Sequence, residues 1–140
     1  MSDQPAPFRS PFADVAPAFR GKYPIFTPAC FDVDLRFALY EAAYLNMFVN
    51  NGPGTAATLS RKIRYIMFKL LVPGVVHCAE ESLRQLGFTP GETPAYAGKY
   101  QKWVWADDDA EILWSEFCAM REQISLNENA RPVRERNIAR

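Results

Sequence analysis

The sequence has little of what most metal-dependent and disulfide-stabilised proteins use. Its 140 residues include one histidine, His77, and three widely spaced cysteines with no Cys-x-x-Cys pair. A disulfide framework and a four-ligand zinc site are therefore not expected, and a reducing cytoplasm fits best. No apolar run is long enough to span a membrane, and the opening MSDQPAPFRSPF is unlike a secretory leader.

The sequence also lacks an excess of charge of either sign. Lys and Arg total 16, and Asp and Glu total 16. This balance disfavours a protein that binds nucleic acid through bulk positive charge. Hydrophobic residues make up 49% of the chain, close to the globular average, so we expect one folded domain rather than a disordered chain.

Residues 1–31 differ in composition from the rest and are predicted to form an extended arm. Six of the eleven prolines and five of the ten phenylalanines lie there, and proline excludes a long helix. Regularly spaced aromatic residues in an extended segment either anchor it on a partner chain or fold it back over its own core, and both alternatives stay open. The predicted partner-binding anchors are Phe8, Phe12, Phe19, Tyr23 and Phe26.

The remaining chain shows the helical period, which predicts an all-α fold. We expect a compact bundle of four or five helices over residues 32–125 and a polar, basic tail over 126–140. The predicted helices span residues 33–49, 57–71, 75–86 and, after the acidic run 107–109, the stretch to about 125. Residues 93–105 fit either another helix, which we favour, or a loop ending in a short extended KWVW piece.

The predicted helix over residues 33–49, with Asp32 or Asp34 as its N-cap, is apolar on most of its circumference. One stripe at helical spacing consists of Leu35, Ala38, Leu39, Ala42, Leu45 and Val49. A second face consists of Phe37, Tyr40, Tyr44, Met47 and Phe48. Such a helix is either central to the bundle or covered on one face by a partner.

The predicted helix over residues 57–71 has an outward basic face without an acidic residue. Its members are Arg61, Lys62, Arg64 and Lys69. This face is either simply solvated or a docking surface for an acidic partner. Arg61 and Arg64 are the candidate partner-binding residues, because arginine binds anions bidentately and neither has an evident internal counter-charge.

His77 is the first candidate for catalysis. On a helix over residues 75–86 it shares a face with Glu80 and Glu81, and a His77/Glu81 pair could serve as a general acid–base pair. Cys78 is a further candidate nucleophile, although successive helix residues point about 100° apart. A purely structural role for all of them is the alternative, and we expect no metal site in this chain.

Three segments also match a known family pattern. The matching residues are Phe31, Asp32, Arg36, Phe37, Ala38 and Leu39, then the stretch from Arg61 to Ile66, and finally Ala79, Leu83, Leu86, Gly87, Thr89 and Glu92. Together these segments resemble the helical part of nitrile hydratase β subunits, the related thiocyanate hydrolase subunit and nitrile hydratase activator proteins. The family's Pro-Trp and Tyr-Tyr pairs are absent here.

This resemblance implies an accessory or activator subunit of a hydratase or hydrolase assembly. The chain would wrap or load a catalytic partner, any metal would lie in that partner, and this chain would hold no cofactor. The family's arginine contacts to the partner's active site imply a role for Arg61 or Arg64 without distinguishing them. The segment ending at Leu86-Gly87 is also similar to carboxymuconolactone decarboxylase-like proteins, which implies the alternative of a small stand-alone enzyme using His77 and Glu81.

Overall fold

The computed structural model describes Lys22 and residues 26–129. The α-helices are α1 (Val33–Ala42), α2 (Gly52–Ala57), α3 (Glu80–Gln85) and α4 (Ala110–Asn129). The strands are β1 (Asn46–Val49), β2 (Tyr65–Phe68) and β3 (Gln101–Trp103). Two short 3-10 helices cover Thr27–Cys30 and Val76–Cys78. The predicted arm anchors Phe8, Phe12, Phe19 and Tyr23 lie outside the described residues.

The three strands form one parallel sheet in the order β1-β2-β3, so the prediction of an all-α fold is wrong. Asn46 pairs with Tyr65, and Tyr65 pairs with Gln101. Parallel neighbours need a connection of about a dozen residues or more. The segments 50–64 and 69–100, which contain α2 and α3, supply these connections.

The core lies on both faces of β2, because all four of its side chains are buried. Tyr65 and Met67 belong to one hydrophobic cluster, and Ile66 and Phe68 belong to the other. The first cluster also contains Ala57, Ile63, Leu70 and Trp103, against which Phe37, Tyr40, Phe48, Phe88 and Trp105 pack. The second contains Val104, Met120 and Ile124. Helices α1 and α2 therefore cover one face of the sheet, and α4 covers the other.

The predicted helix over residues 33–49 is two elements. Asp32 caps α1 as expected, since its side chain accepts a hydrogen bond from the Leu35 N–H at 2.9 Å. The helix ends at Ala42, however, and Ala43 takes an extended conformation (φ −67°, ψ 140°) that leads into β1. The expected helix is apolar on most of its circumference because its sequence combines a helix and a strand, whose side chains follow different periods.

The predicted helix over residues 57–71 does not form, and its basic face does not exist. Helix α2 ends at Ala57, and residues 65–68 form β2. A strand that is covered on both faces buries all four apolar side chains. A helix over the same residues would instead point Tyr65 and Phe68 away from the core.

Three further boundaries differ from the prediction. The helix expected over residues 75–86 breaks at Ala79 (ψ 147°), which separates a 3-10 turn from α3. Residues 93–105 contain β3 and no helix, so the extended alternative describes them better. Helix α4 continues to Asn129, beyond the predicted start of the tail at 126.

Lys69 directly follows β2 and lies in the left-handed region, with φ of 51°. This conformation costs a residue with a Cβ about 1–2 kcal/mol, but it costs glycine little. We expect Lys69→Gly to be more stable than Lys69→Ala by about 1 kcal/mol, measured by urea denaturation. Both variants lose the ammonium group, so their difference reports the backbone alone. Equal stability, or a more stable alanine variant, would contradict strain at this position.

Candidate functional site

Helix α1 turns an apolar stripe towards the surface. Phe37 and Tyr40 pack against the core. The opposite side of α1, which we name the α1 stripe, consists of Leu35, Ala38, Leu39 and Ala42, and all four are exposed. Leu35 and Leu39 are 40% and 43% exposed, and α1 contains no buried residue. Adjacent apolar side chains on a surface are typical of protein–protein contacts.

Strand β1 adds a second surface of the same kind. It lies at one edge of the sheet, and within the described residues no strand pairs with its outer side. Phe48 faces the core, while Met47 and Val49 are exposed. An edge strand with exposed apolar side chains is a ready template for pairing with another chain.

A cavity of about 240 Å³ lies where β2 ends, between the segments that contain α2 and α3. Its floor is apolar and mostly buried: Met67, Leu70, Leu83, Phe88 and Trp103. Its rim contains Asn50, Thr55, Thr58, His77, Leu86 and Tyr96. We name it the carboxyl-edge cavity, since Asn50 and Leu70, which follow the carboxyl ends of β1 and β2, line it. A neighbouring hollow shares Asn50, Thr55 and His77 with it.

Hydrogen bonds fix the polar groups at this rim. The Asn50 side-chain amide donates to the Leu70 carbonyl at 3.0 Å and to the Cys78 sulfur at 3.3 Å. The Thr58 hydroxyl donates to the Thr55 carbonyl at 2.7 Å. Because these hydrogens are already used, Asn50 and Thr58 have only acceptor capacity left for a ligand.

The structure brings His77 to the cavity but does not pair it with Glu81. The break at Ala79 places the two residues in different elements. Glu81 accepts a hydrogen bond from the Gln85 side chain at 3.2 Å, and no described residue hydrogen-bonds to the His77 imidazole. Cys78 is buried and accepts from Asn50. These three residues do not form a catalytic constellation in this geometry.

The two candidate arginines lie in separate surroundings. Arg64 is 5.2 Å from the centre of the Tyr100 ring and 2.9 Å from the Glu128 carboxylate. The expectation that Arg64 lacks an internal counter-charge is therefore wrong. Among the described residues, Arg61 donates to the Tyr96 carbonyl alone, at 3.3 and 3.4 Å, and it is exposed. Phe26, the one predicted arm anchor that the structure describes, is half exposed.

Four groups in the described part of the chain have a shifted pKa, and none of them is at the cavity rim. A hydrogen bond to Asp108 raises the pKa of Lys69, and the same contact lowers the pKa of Asp108. Burial raises the pKa of the Tyr65 and Tyr40 hydroxyls. These shifts belong to an ion pair and to core packing, so they do not indicate an acid–base centre.

Across residues 26–129, no three His, Cys, Asp or Glu side chains are placed to hold a metal ion. None of the described helices is long and apolar enough to cross a membrane. Comparison of this chain with protein-family models, with curated proteins and with solved structures finds no match.

Proposed function

We propose that this chain is a non-catalytic accessory subunit of a cytoplasmic multisubunit enzyme. The observation that carries the proposal is the α1 stripe, which leaves Leu35 and Leu39 exposed on a helix without a buried residue. Leu35 and Leu39 are already more than half covered, so burying the rest of each contributes roughly 1 kcal/mol before the costs of association. Two adjacent leucines therefore suit the centre of an interface.

The surroundings of the α1 stripe support the same function. Asp34 and Glu41 lie on the same helix and are exposed, as in the polar rim of many interfaces. The edge of β1 offers further exposed apolar side chains, Met47 and Val49.

The nature of the partner rests on the family resemblance. Phe37, Ala38 and Leu39, which carry part of that resemblance, lie on α1 itself. A hydratase or hydrolase catalytic chain that holds its own metal is therefore the partner we propose. A stand-alone enzyme using His77 and Glu81 is less well supported, because the Glu81 carboxylate interacts with Gln85 instead.

A variant of the α1 stripe tests this function. We expect Leu35→Gln/Leu39→Gln to recover at least about tenfold less of the catalytic partner than the parent chain, because two side chains that the partner would cover lose their apolar contacts with it. The measurement is affinity purification of the tagged full chain from native cells, with mass spectrometry and assay of the recovered enzyme. In the parent sample, a catalytic chain should be recovered in fixed stoichiometry, and its activity should fall when this chain is depleted.

The matched control is Leu59→Gln/Leu126→Gln, which changes two leucines that are 84% and 64% exposed elsewhere. This control should recover the partner as the parent does. Equal recovery by both double variants would contradict a role for the α1 stripe. A monomeric chain that turns over a substrate alone would contradict the accessory function itself.

A further inference from the structure

We propose that the carboxyl-edge cavity binds a small, flat, two-ring molecule that carries an N–H or O–H donor. The size of the cavity supports two rings. An apolar cavity of about 150 Å³ holds a benzene molecule. The volume of about 240 Å³ therefore has room for a fused bicyclic ring system.

The floor of the cavity favours a flat apolar molecule. Met67 and Leu70 are 1% exposed, and Leu83 is also buried, so the bottom offers no charge. The rings of Phe88 and Trp103 lie 4.9 Å apart at a tilt of 47°. Tilted rings present both edges and faces, which are the contacts that a bound aromatic molecule makes.

The polar side chains that lie deepest in the rim set the polarity of the ligand. These are Asn50 and Thr58, which are half-buried, whereas Thr55, His77 and Tyr96 are exposed and keep water as a partner for their donors. Asn50 has used both amide hydrogens and Thr58 has used its hydroxyl hydrogen, so each offers only an oxygen acceptor. A ligand without a donor would cover these oxygens and leave them without the hydrogen bonds that water gives them. A ligand with an N–H or O–H restores one such bond. This donor requirement distinguishes the site from a general apolar pocket.

The cavity is accessible and lies apart from the α1 stripe. Thr55, His77, Leu86 and Tyr96 at the rim are exposed, so the mouth of the cavity opens to solvent. The site uses none of the side chains assigned to partner binding. Ligand binding and the accessory function are therefore separate proposals that can fail independently.

Two isosteric probes test the donor requirement. Indole carries an N–H, and benzofuran has an oxygen in that place and otherwise the same shape. Each is titrated into the full chain and followed by NMR through the Trp103 indole N–H and the Asn50 side-chain amide. We expect saturable shifts with indole and about tenfold weaker binding of benzofuran, the effect of one hydrogen bond. Equal affinities, or no saturable shift with indole, would overturn the proposal.

A matched pair of variants locates the binding. Leu86 and Val76 are both highly exposed, but only Leu86 lines the cavity. We expect Leu86→Trp to weaken indole binding at least about tenfold by filling the mouth, and Val76→Trp to bind as the parent does. If Leu86→Trp loses the dispersed spectrum of a folded chain, Thr55→Trp on the opposite rim gives the same measurement. If the folded Leu86→Trp or Thr55→Trp variant binds indole as tightly as the parent does, indole does not bind in this cavity and the proposal is overturned.

Discussion

Replacing Phe68 with alanine is expected to lower the free energy of unfolding by about 3–5 kcal/mol. Phe68 is 1% exposed and lies in the cluster that joins β2 to α4 through Met120 and Ile124. Truncation removes the apolar contacts of a whole ring and leaves a cavity that the rigid sheet cannot close. Urea denaturation followed by circular dichroism measures the loss.

Comparison with Leu71→Ala distinguishes the parallel sheet from the alternative structure, a continuous helix over residues 57–71. In that helix, Phe68 would share the outward side with Arg61 and Arg64 at i+7 and i+4, while Leu71 would face the core with Met67. In the structure Phe68 is buried and Leu71 is only half-buried. We therefore expect Phe68→Ala to cost more than Leu71→Ala. The reverse order would contradict the parallel sheet.

Helix starts with a local capping residue could be predicted from the sequence. Asp32 accepts from the Leu35 N–H at the start of α1, and Asp109 accepts from the Ile112 N–H at 2.9 Å at the start of α4. Both contacts lie within four residues of sequence, and acidic residues at these positions are typical N-caps. Short-range chemistry of this kind is readable without the fold.

The strands could not be predicted by alternation, because β2 is buried on both faces. Its sequence, Tyr-Ile-Met-Phe, is a continuous apolar run, as is usual in parallel sheets. Strands of three or four residues are also too short to show a period of two against a helical background. The partners of β2 lie 19 and 36 residues away in register, at Asn46 and Gln101, and no local pattern indicates that pairing.

The candidate site was predictable only in part, for the same reason. The sequence indicates His77 as a candidate, and His77 lies at the rim of the cavity. Helical spacing predicts Glu81 as its partner, but the break at Ala79 means that the two residues do not share one helix. The remaining lining comes from segments as distant as Asn50 and Trp103, which only the parallel sheet brings together.

Gln101 holds the start of β3 to the loop before β2, and its loss is expected to be severe. The residue as a whole is 5% exposed. Its side-chain amide nitrogen donates to the Ser60 carbonyl at 2.8 Å and to the Ile63 carbonyl at 2.9 Å. Its amide oxygen accepts from the Gly98 N–H at 2.7 Å. Gln101→Leu keeps the volume but removes three hydrogen bonds, and each buried group left unpaired costs about 1–3 kcal/mol.

We therefore expect Gln101→Leu to lower the free energy of unfolding by about 3 kcal/mol or more. Gln85→Leu is the matched control, because Gln85 is exposed and bonds only to Glu81. That control should stay within about 0.5 kcal/mol of the parent. Similar stabilities of the two variants in urea denaturation would contradict the structural role of Gln101.

Gln101→Glu adds a test with a defined pH dependence. The new carboxylate would face the Ser60 and Ile63 carbonyl oxygens in a buried position, so its pKa in the folded state should lie above the value of about 4.3 in the unfolded chain. Between these two pKa values the folded state binds more protons than the unfolded state. The stability of Gln101→Glu relative to the parent therefore falls as pH rises from the unfolded-state pKa through the folded-state pKa. We expect a larger loss of stability at neutral pH than near pH 4, where the protonated acid can donate one of the two hydrogen bonds. A loss that is the same at both pH values would contradict the donor role of the Gln101 amide.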